Sequence, residues 1–217
     1  GIEVVVADGA GCCGALVHHM GRMGDSLGQA ARNIHAWSWE REVRGLDALI
    51  INTSGCGTMV KDYGFMFRED PILKEDAAWV SAMTKDVTEY LSTLDIPTKA
   101  PELLRVAYHS ACSMQHGQKI TEVPIQLLSN AGFDVVSPAE GHLCCGSAGT
   151  YNILEPEIAD RLKERKIANL QATEPQVIAA GNIGCIAQLG SGTALPVVHT
   201  VELLDWATGG QKPKRLN

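Results

Sequence analysis

Seven cysteines are the residues of this chain best suited to chemistry, and their spacing repeats. Cys12-Cys13-Gly14 and Cys144-Cys145-Gly146 are two copies of one triplet, and each is followed by a Gly-Cys step, at Gly55-Cys56 and Gly184-Cys185. Between the pair and the later cysteine lie 42 residues in the first copy and 39 in the second. Cys112 stands upstream of the second pair with 31 residues between, so that copy offers four thiols: Cys112, Cys144, Cys145 and Cys185. Four thiolates suit a zinc ion or an iron–sulfur cluster, because soft sulfur donors select those metals. Cys12, Cys13 and Cys56 give the first copy only three. An odd total, with no secretion signal in view, argues against a disulfide framework. A single cysteine is most simply a small core hydrophobe, but a doubled pattern of this kind is not. Gly141, Gly146, Gly149, Gly181 and Gly184 surround the second set, where they allow close backbone approach and leave N–H groups free for sulfur.

Other chemistry is weaker in the sequence. Gly9, Gly11 and Gly14 form a G-x-G-x-x-G spacing, but the cysteine pair occupies its centre. Asn52 stands where a dinucleotide site wants an acid, so the fingerprint is set aside. His109, His116 and His142 lie near the second cysteine set in sequence and could tune or support it, although ordinary loop roles suit each one alone. His199 reads as structural, and packing is the simpler role for Tyr151 and Asn152. No Ser/His/Asp order, carboxylate pair or phosphate loop is present.

Elements that could position the cysteines follow from the apolar pattern. Strands are expected at Ile2–Ala7, Ala48–Asn52, Leu104–His109, Phe133–Ser137, Gln176–Ala180 and Pro196–His199, short runs rich in Val and Ile. A helix is expected over Pro71–Leu94, with Asp70 as its cap. Further helices are expected from Glu155-Pro156 to about Gln171 and from Val123 to Asn130, the latter closed by Gly132. Strands alternating with helices indicate an α/β fold with mainly parallel sheets, and each cysteine then falls just past the C-terminal end of a strand.

The halves also match by eye. "EVVVADGAGCCGA" parallels "FDVVSPAEGHLCCGS", and "LIINTSGCGTM" parallels "VIAAGNIGCIAQ". Two pseudo-repeated units are therefore expected, 1–98 and 99–217, the first truncated at its N-terminus. Composition fits a globular chain of 217 residues, 45% hydrophobic and 20% charged. The net charge of -7, with basic residues bunched only at Lys212, Lys214 and Arg215, disfavours nucleic acid as a partner. No run approaches the ~18 apolar residues of a membrane span.

The order Cys, Cys-Cys-Gly, Gly-Cys, present twice, resembles the cysteine-rich CCG domain of the heterodisulfide reductases and their relatives. Within that group "YHSACSMQHGQ", "LCCGSAGTYNI" and "HTVELLDWATGG" resemble the C-terminal part of glycolate oxidase iron–sulfur subunits. The resemblance implies an electron-transfer role beside a flavin-containing dehydrogenase subunit that oxidises a 2-hydroxy acid, with electrons passing towards the quinone pool. It also implies a ferredoxin-like domain ahead of this segment, and a cytoplasmic location, peripheral on the inner face of the membrane. Cys112, Cys144, Cys145 and Cys185 would hold an iron–sulfur cluster of the 4Fe-4S type. The fullest family motif ends in Cys-x-x-Cys, whereas Met59 and Gln188 stand at the last position here. That departure argues against the non-cubane cluster of the heterodisulfide enzymes. Two other functions fit the same cysteines: a zinc-binding docking domain, and a thiol–disulfide reductase module.

Overall fold

The computed structural model describes residues 1–217, and the chain divides into two compact units. The first comprises Gly1–Ile51 with Gly55–Lys85, and the second Asn52–Ser54 with Asp86–Asn217.

The first unit is mostly helical. α1 (Ala15–His19) leads into the long α2 (Met23–Arg44), and β1 (Leu49–Ile51) into α3 (Ser54–Lys61). α4 (Tyr63–Met66), α5 (Lys74–Met83) and β2 (Thr84–Asp86) follow, and β1 and β2 make a two-stranded sheet. Ala30 and Ile34 of α2 meet Val60, Tyr63, Ala77 and Val80 in one core, which also encloses Cys13.

The second unit is a three-layer α/β/α fold. Its elements are α6 (Val87–Leu91), β3 (Arg105–His109), a π-helical turn (Ser113–Gln118), α7 (Val123–Asn130), β4 (Asp134–Val136), α8 (Tyr151–Leu154), α9 (Pro156–Gln171), β5 (Val177–Ala180), α10 (Ile183–Gly190), β6 (Val197–His199), α11 (Thr200–Ala207) and a closing 3-10 turn (Lys214–Leu216). The sheet has the order β4-β3-β5-β6, and every pairing is parallel: Val106 lies beside Val135 and Val177, and Ile178 beside Val197. Both faces are covered, so the central residues of the strands are apolar, while Arg105 and Asp134 pair at the exposed strand starts. Val106, Tyr108, Val177 and Ala179 pack with Leu128 of α7 and with Leu203 and Trp206 of α11. On the other face Ala107, Ile178 and Ala180 pack with Ile167 and Leu170 of α9 and with Ile186 and Leu189 of α10. From β3 the chain steps outward to β4, then returns past β3 to β5 and on to β6. The strand order therefore reverses between β3 and β5, the place in an open parallel sheet where loops part and a binding crevice forms.

Two sequence expectations are corrected. Ile2–Ala7 forms no strand. Val4 and Val6 are 84% and 89% exposed, and an apolar run becomes a strand only where a neighbour supplies ladder hydrogen bonds. Cys12 and Cys13 thus follow irregular chain, while the other five cysteines follow strands. The helix expected over 71–94 is broken in two. Asp70 does cap, accepting from the N–H groups of Ile72 and Leu73 at 2.9 Å, but α5 starts at Lys74 and stops at Met83. Thr84 then turns extended, and Asp86 opens α6 through a capping box with Glu89. Helices α7 and α9 fall where expected, and Gly132 takes φ +98° after α7. No helix is long and apolar enough to cross a membrane.

Candidate metal–thiolate centre

In the second unit, four sulfurs and one imidazole converge at the reversal of strand order. Residue parity along β3 turns His109 to the same face as Ala107, towards α9 and α10. Cys112, three residues later, caps the π-helical turn. Cys185 lies in the first turn of α10, which Asn182 caps by accepting from the N–H groups of Gly184 and Cys185. Cys144 and Cys145 come from the loop between β4 and α8.

The sulfurs share protons in sequence. Cys112 Sγ donates to Cys144 Sγ at 3.9 Å, and the Gly146 N–H donates to the same sulfur at 3.3 Å. These bonds, with one from Cys145, hold the Cys144 thiol well below its ordinary range. Cys112 and Cys145 are pushed up, first because they are the donors and then by burial. Cys185 is lowered to about 5, chiefly because the single Cys145 S–H, which lies between Cys144 and Cys185, is shared with it. The ligand atoms of His109, Cys145 and Cys185 all lie within 4.8 Å of one another, and all three residues are buried. None of the seven cysteines is in a disulfide.

His109 is 1% exposed, yet neither ring nitrogen makes a hydrogen bond of ordinary length; its longer contact with Cys185 helps to lower that thiol. A buried unsatisfied group costs about 1–3 kcal/mol, so an imidazole in this state beside thiols fits a site built for a further group. Four convergent sulfurs and a buried imidazole match the donor chemistry of zinc or of an iron–sulfur cluster.

The loop bearing the pair is fixed from α9. Gly146 has φ +91°, and a Cβ there would lie 2.3 Å from the Ala159 carbonyl oxygen, so only glycine fits. One helical face further along, Lys166 Nζ donates to the carbonyls of Glu140 at 2.9 Å and Gly141 at 3.2 Å. Arg165 and Asn169 bind the Glu140 carboxylate, holding it down to about 2. Glu140 itself adopts φ +52°.

The first unit carries a reduced version of this arrangement. Gly14 has φ +88°, and a Cβ there would stand 3.0 Å from the Ser26 carbonyl oxygen of α2. Asn33 accepts from the Gly11 N–H at 2.7 Å and donates to the Cys12 carbonyl at 3.1 Å, while the Tyr63 hydroxyl donates to the Cys13 carbonyl at 2.8 Å. Cys13 is pushed up as donor to Cys56, which is lowered to about 7 by that bond. Cys12 is exposed.

The remaining sequence candidates separate. His116 and His142 are exposed, whereas His199 caps α11 and its Nε2 lies 2.7 Å from the Asn52 carbonyl. Met59 is buried in the core around Cys13 and Cys56. Gln188 is buried too, and its Oε1 accepts from Asn152 at 3.0 Å, which gives Asn152 a partner. Lys166, Asn33 and Tyr63 were not singled out by sequence. A lysine on an amphipathic helix reads as solvated surface, and only the repeat spacing could have drawn attention to it.

The profile of the family described as "Cysteine-rich domain" (CCG) matches residues 1–61 and 106–190. The glycolate oxidase iron-sulfur subunit of Escherichia coli (strain K12) is 36% identical over 208 residues, 95% of this chain and 51% of that protein. The probable glycolate oxidase iron-sulfur subunit of Bacillus subtilis (strain 168) is 31% identical over 96% of this chain and 49% of its own length. Lactate utilization protein A of Geobacillus thermodenitrificans (strain NG80-2) is 25% identical over 94% of this chain and 87% of its own. The chain thus spans about half the length of the two glycolate oxidase subunits it matches.

Proposed function

The chain belongs to the cysteine-rich (CCG) domain family, and from that membership we propose that it is the duplicated CCG portion of an electron-transfer iron–sulfur subunit serving a glycolate-type 2-hydroxy-acid dehydrogenase. The observation that carries this reading is the convergence of Cys112, Cys144, Cys145 and Cys185 with the buried His109. Those four sulfurs would hold an iron–sulfur cluster of the 4Fe-4S type. When bound, such a group supplies one-electron redox chemistry at a potential set by burial and by hydrogen bonds to sulfur. The chain's own part is to place the sulfurs, to donate the Gly146 N–H to Cys144, and to keep bulk water from Cys145 and Cys185.

Support for two repeats, 1–98 and 99–217, comes from Gly14 and Gly146. Both take left-handed φ and both lie against the second helix downstream, at Ser26 of α2 and Ala159 of α9. Cys12, Cys13 and Cys56 form a second, smaller thiol set. A flavin-containing dehydrogenase subunit and a ferredoxin-like domain are the proposed partners, with quinone as the distant acceptor. The proposed location is cytoplasmic, peripheral on the inner face of the membrane.

To test the transfer, a flavin-bearing dehydrogenase subunit reduced with glycolate is mixed anaerobically with the oxidised chain. Bleaching of the chain's visible absorption is expected. A coloured chain that stays oxidised beside reduced flavin contradicts the proposal.

One observation favours a second reading. Two thiolates at about 2.3 Å from one tetrahedral ion stand about 3.8 Å apart. The Cys112–Cys144 separation of 3.9 Å suits that geometry, and hence a single structural zinc in a docking domain.

A further inference from the structure

His109 is the last residue of β3, and its backbone lies in register with Ala180, the last residue of β5. From these two strand ends the chain leads to Cys112 and to Cys185, so His109 lies at the reversal of strand order, where both loops begin. Cys145 and Cys185 are buried in the cluster that also holds Ala107, Met114 and Ala180. Apolar side chains of that kind cannot satisfy a ring nitrogen, whereas the two thiols can share a metal with one.

A histidine that serves structure shows a different pattern in the same unit. His199 caps α11: its Nδ1 accepts from the Val201 N–H at 3.1 Å, and its Nε2 lies 2.7 Å from the Asn52 carbonyl oxygen. Both of its nitrogens are engaged. His109 is buried more deeply, and neither of its nitrogens makes a hydrogen bond of ordinary length. A packed core keeps such a group where its polar atoms gain something in return. A ligand atom of the ring and the sulfurs of Cys145 and Cys185 lie within 4.8 Å of one another, so one point stands within about 2.8 Å of all three, close to the about 2.0–2.3 Å of metal–nitrogen and metal–sulfur bonds.

We propose that His109 is itself a ligand of the second centre, a nitrogen donor bound to the metal beside Cys145 and Cys185. This rests on the second site being a metal–thiolate centre, and it changes what that centre can do. A neutral imidazole brings no negative charge where a thiolate brings one, so an iron–sulfur centre with a nitrogen ligand accepts an electron at a higher potential.

The test uses the 217-residue chain with Cys12→Ser and Cys56→Ser, which break up the first thiol set. It is reduced, freed of metal with a chelator and titrated anaerobically with cobalt(II), whose thiolate-to-metal absorption reports bound sulfur. The starting chain should bind cobalt with that absorption. Binding without it refutes the metal–thiolate reading, and the role of His109 with it. His109→Leu removes the nitrogen, His109→Gln keeps an N–H donor but is a poor ligand, and His109→Cys offers a sulfur in its place. His109→Leu and His109→Gln should each weaken cobalt binding at least about 100-fold, since losing a residue that only supports a ligand already costs about 10- to 100-fold. His109→Cys should bind tightly with stronger thiolate-to-metal absorption. A His109→Gln that binds like the starting chain overturns the proposal, because the imidazole would then act only as a hydrogen-bond donor to Cys185. A His109→Cys that binds without added sulfur absorption also overturns it, and leaves the thiolate centre standing. Far-UV circular dichroism checks the fold of each metal-free variant; where His109→Leu or His109→Gln fails that check, His109→Cys decides.

Discussion

The Cβ that Gly146 lacks would lie 2.3 Å from the carbonyl oxygen of Ala159, so the Cys144–Cys145 loop and α9 meet backbone to backbone. Gly146→Ala therefore faces both a left-handed φ of +91° and a clash with backbone that cannot rotate away. The two together are expected to cost at least about 2 kcal/mol. Gly132→Ala is the control: φ is +98°, but nothing stands nearer than 3.7 Å, so a loss of about 1 kcal/mol is expected. Chemical denaturation of both variants checks the difference, and equal losses would refute the packing account.

Glu140 links the same loop to pH. Arg165 first, and then Asn169, lower its carboxyl from 4.5 to about 2. A depressed carboxyl contributes stability that is full above its unfolded value and lost as pH falls through its folded value. The stability gap between wild type and Glu140→Gln should thus be flat above 4.5 and close between 4.5 and about 2. Denaturation midpoints measured across that range test this, and a gap independent of pH contradicts it.

The first thiol set should show itself by reactivity. Cys56 is lowered to about 7 while Cys13, its donor, is pushed up. In reduced, chelator-treated protein, alkylation of Cys56 should be half-maximal near pH 7 and Cys13 should stay protected. Cys13→Ala should move the Cys56 midpoint upward. Peptide mapping after brief alkylation reads both effects, and an unmoved midpoint would rule out the pairing.

His109 offers a contrast between unloaded and loaded protein. Replacing a buried group that makes no ordinary hydrogen bond by an apolar one of similar size is nearly neutral or stabilising. His109→Leu should therefore stay within about 1 kcal/mol of wild type after chelation, yet retain less metal as purified. A large loss of stability in the chelated variant would show that the imidazole serves packing alone.

How much of this was visible in the sequence differs by element. Val177–Ala180, and Val106-Ala107-Tyr108 within β3, are largely apolar stretches that lie between paired neighbours, so pattern and structure agree. Ile2–Ala7 has the same composition without a neighbour, and a one-dimensional pattern cannot reveal whether a ladder partner exists. The apolar spacing across 71–94 runs straight over the local competition at Thr84-Lys85-Asp86, where side-chain capping by Asp86 and Glu89 restarts the helix. In the second unit the four cysteines were readable because spacing alone marks them. The place of His109 among them depends on strand parity at the reversal of strand order. Lys166 was hidden, since burial of a charge is decided by the loop that α9 covers and not by the helix itself.

The most direct test of the iron–sulfur assignment is iron, sulfide and zinc analysis of anaerobically purified protein, with EPR of the dithionite-reduced sample. The wild type should be brown, contain iron and sulfide, and give a signal that Cys185→Ser abolishes and Cys56→Ser leaves in place. A colourless wild type holding one zinc per chain and no sulfide would contradict it.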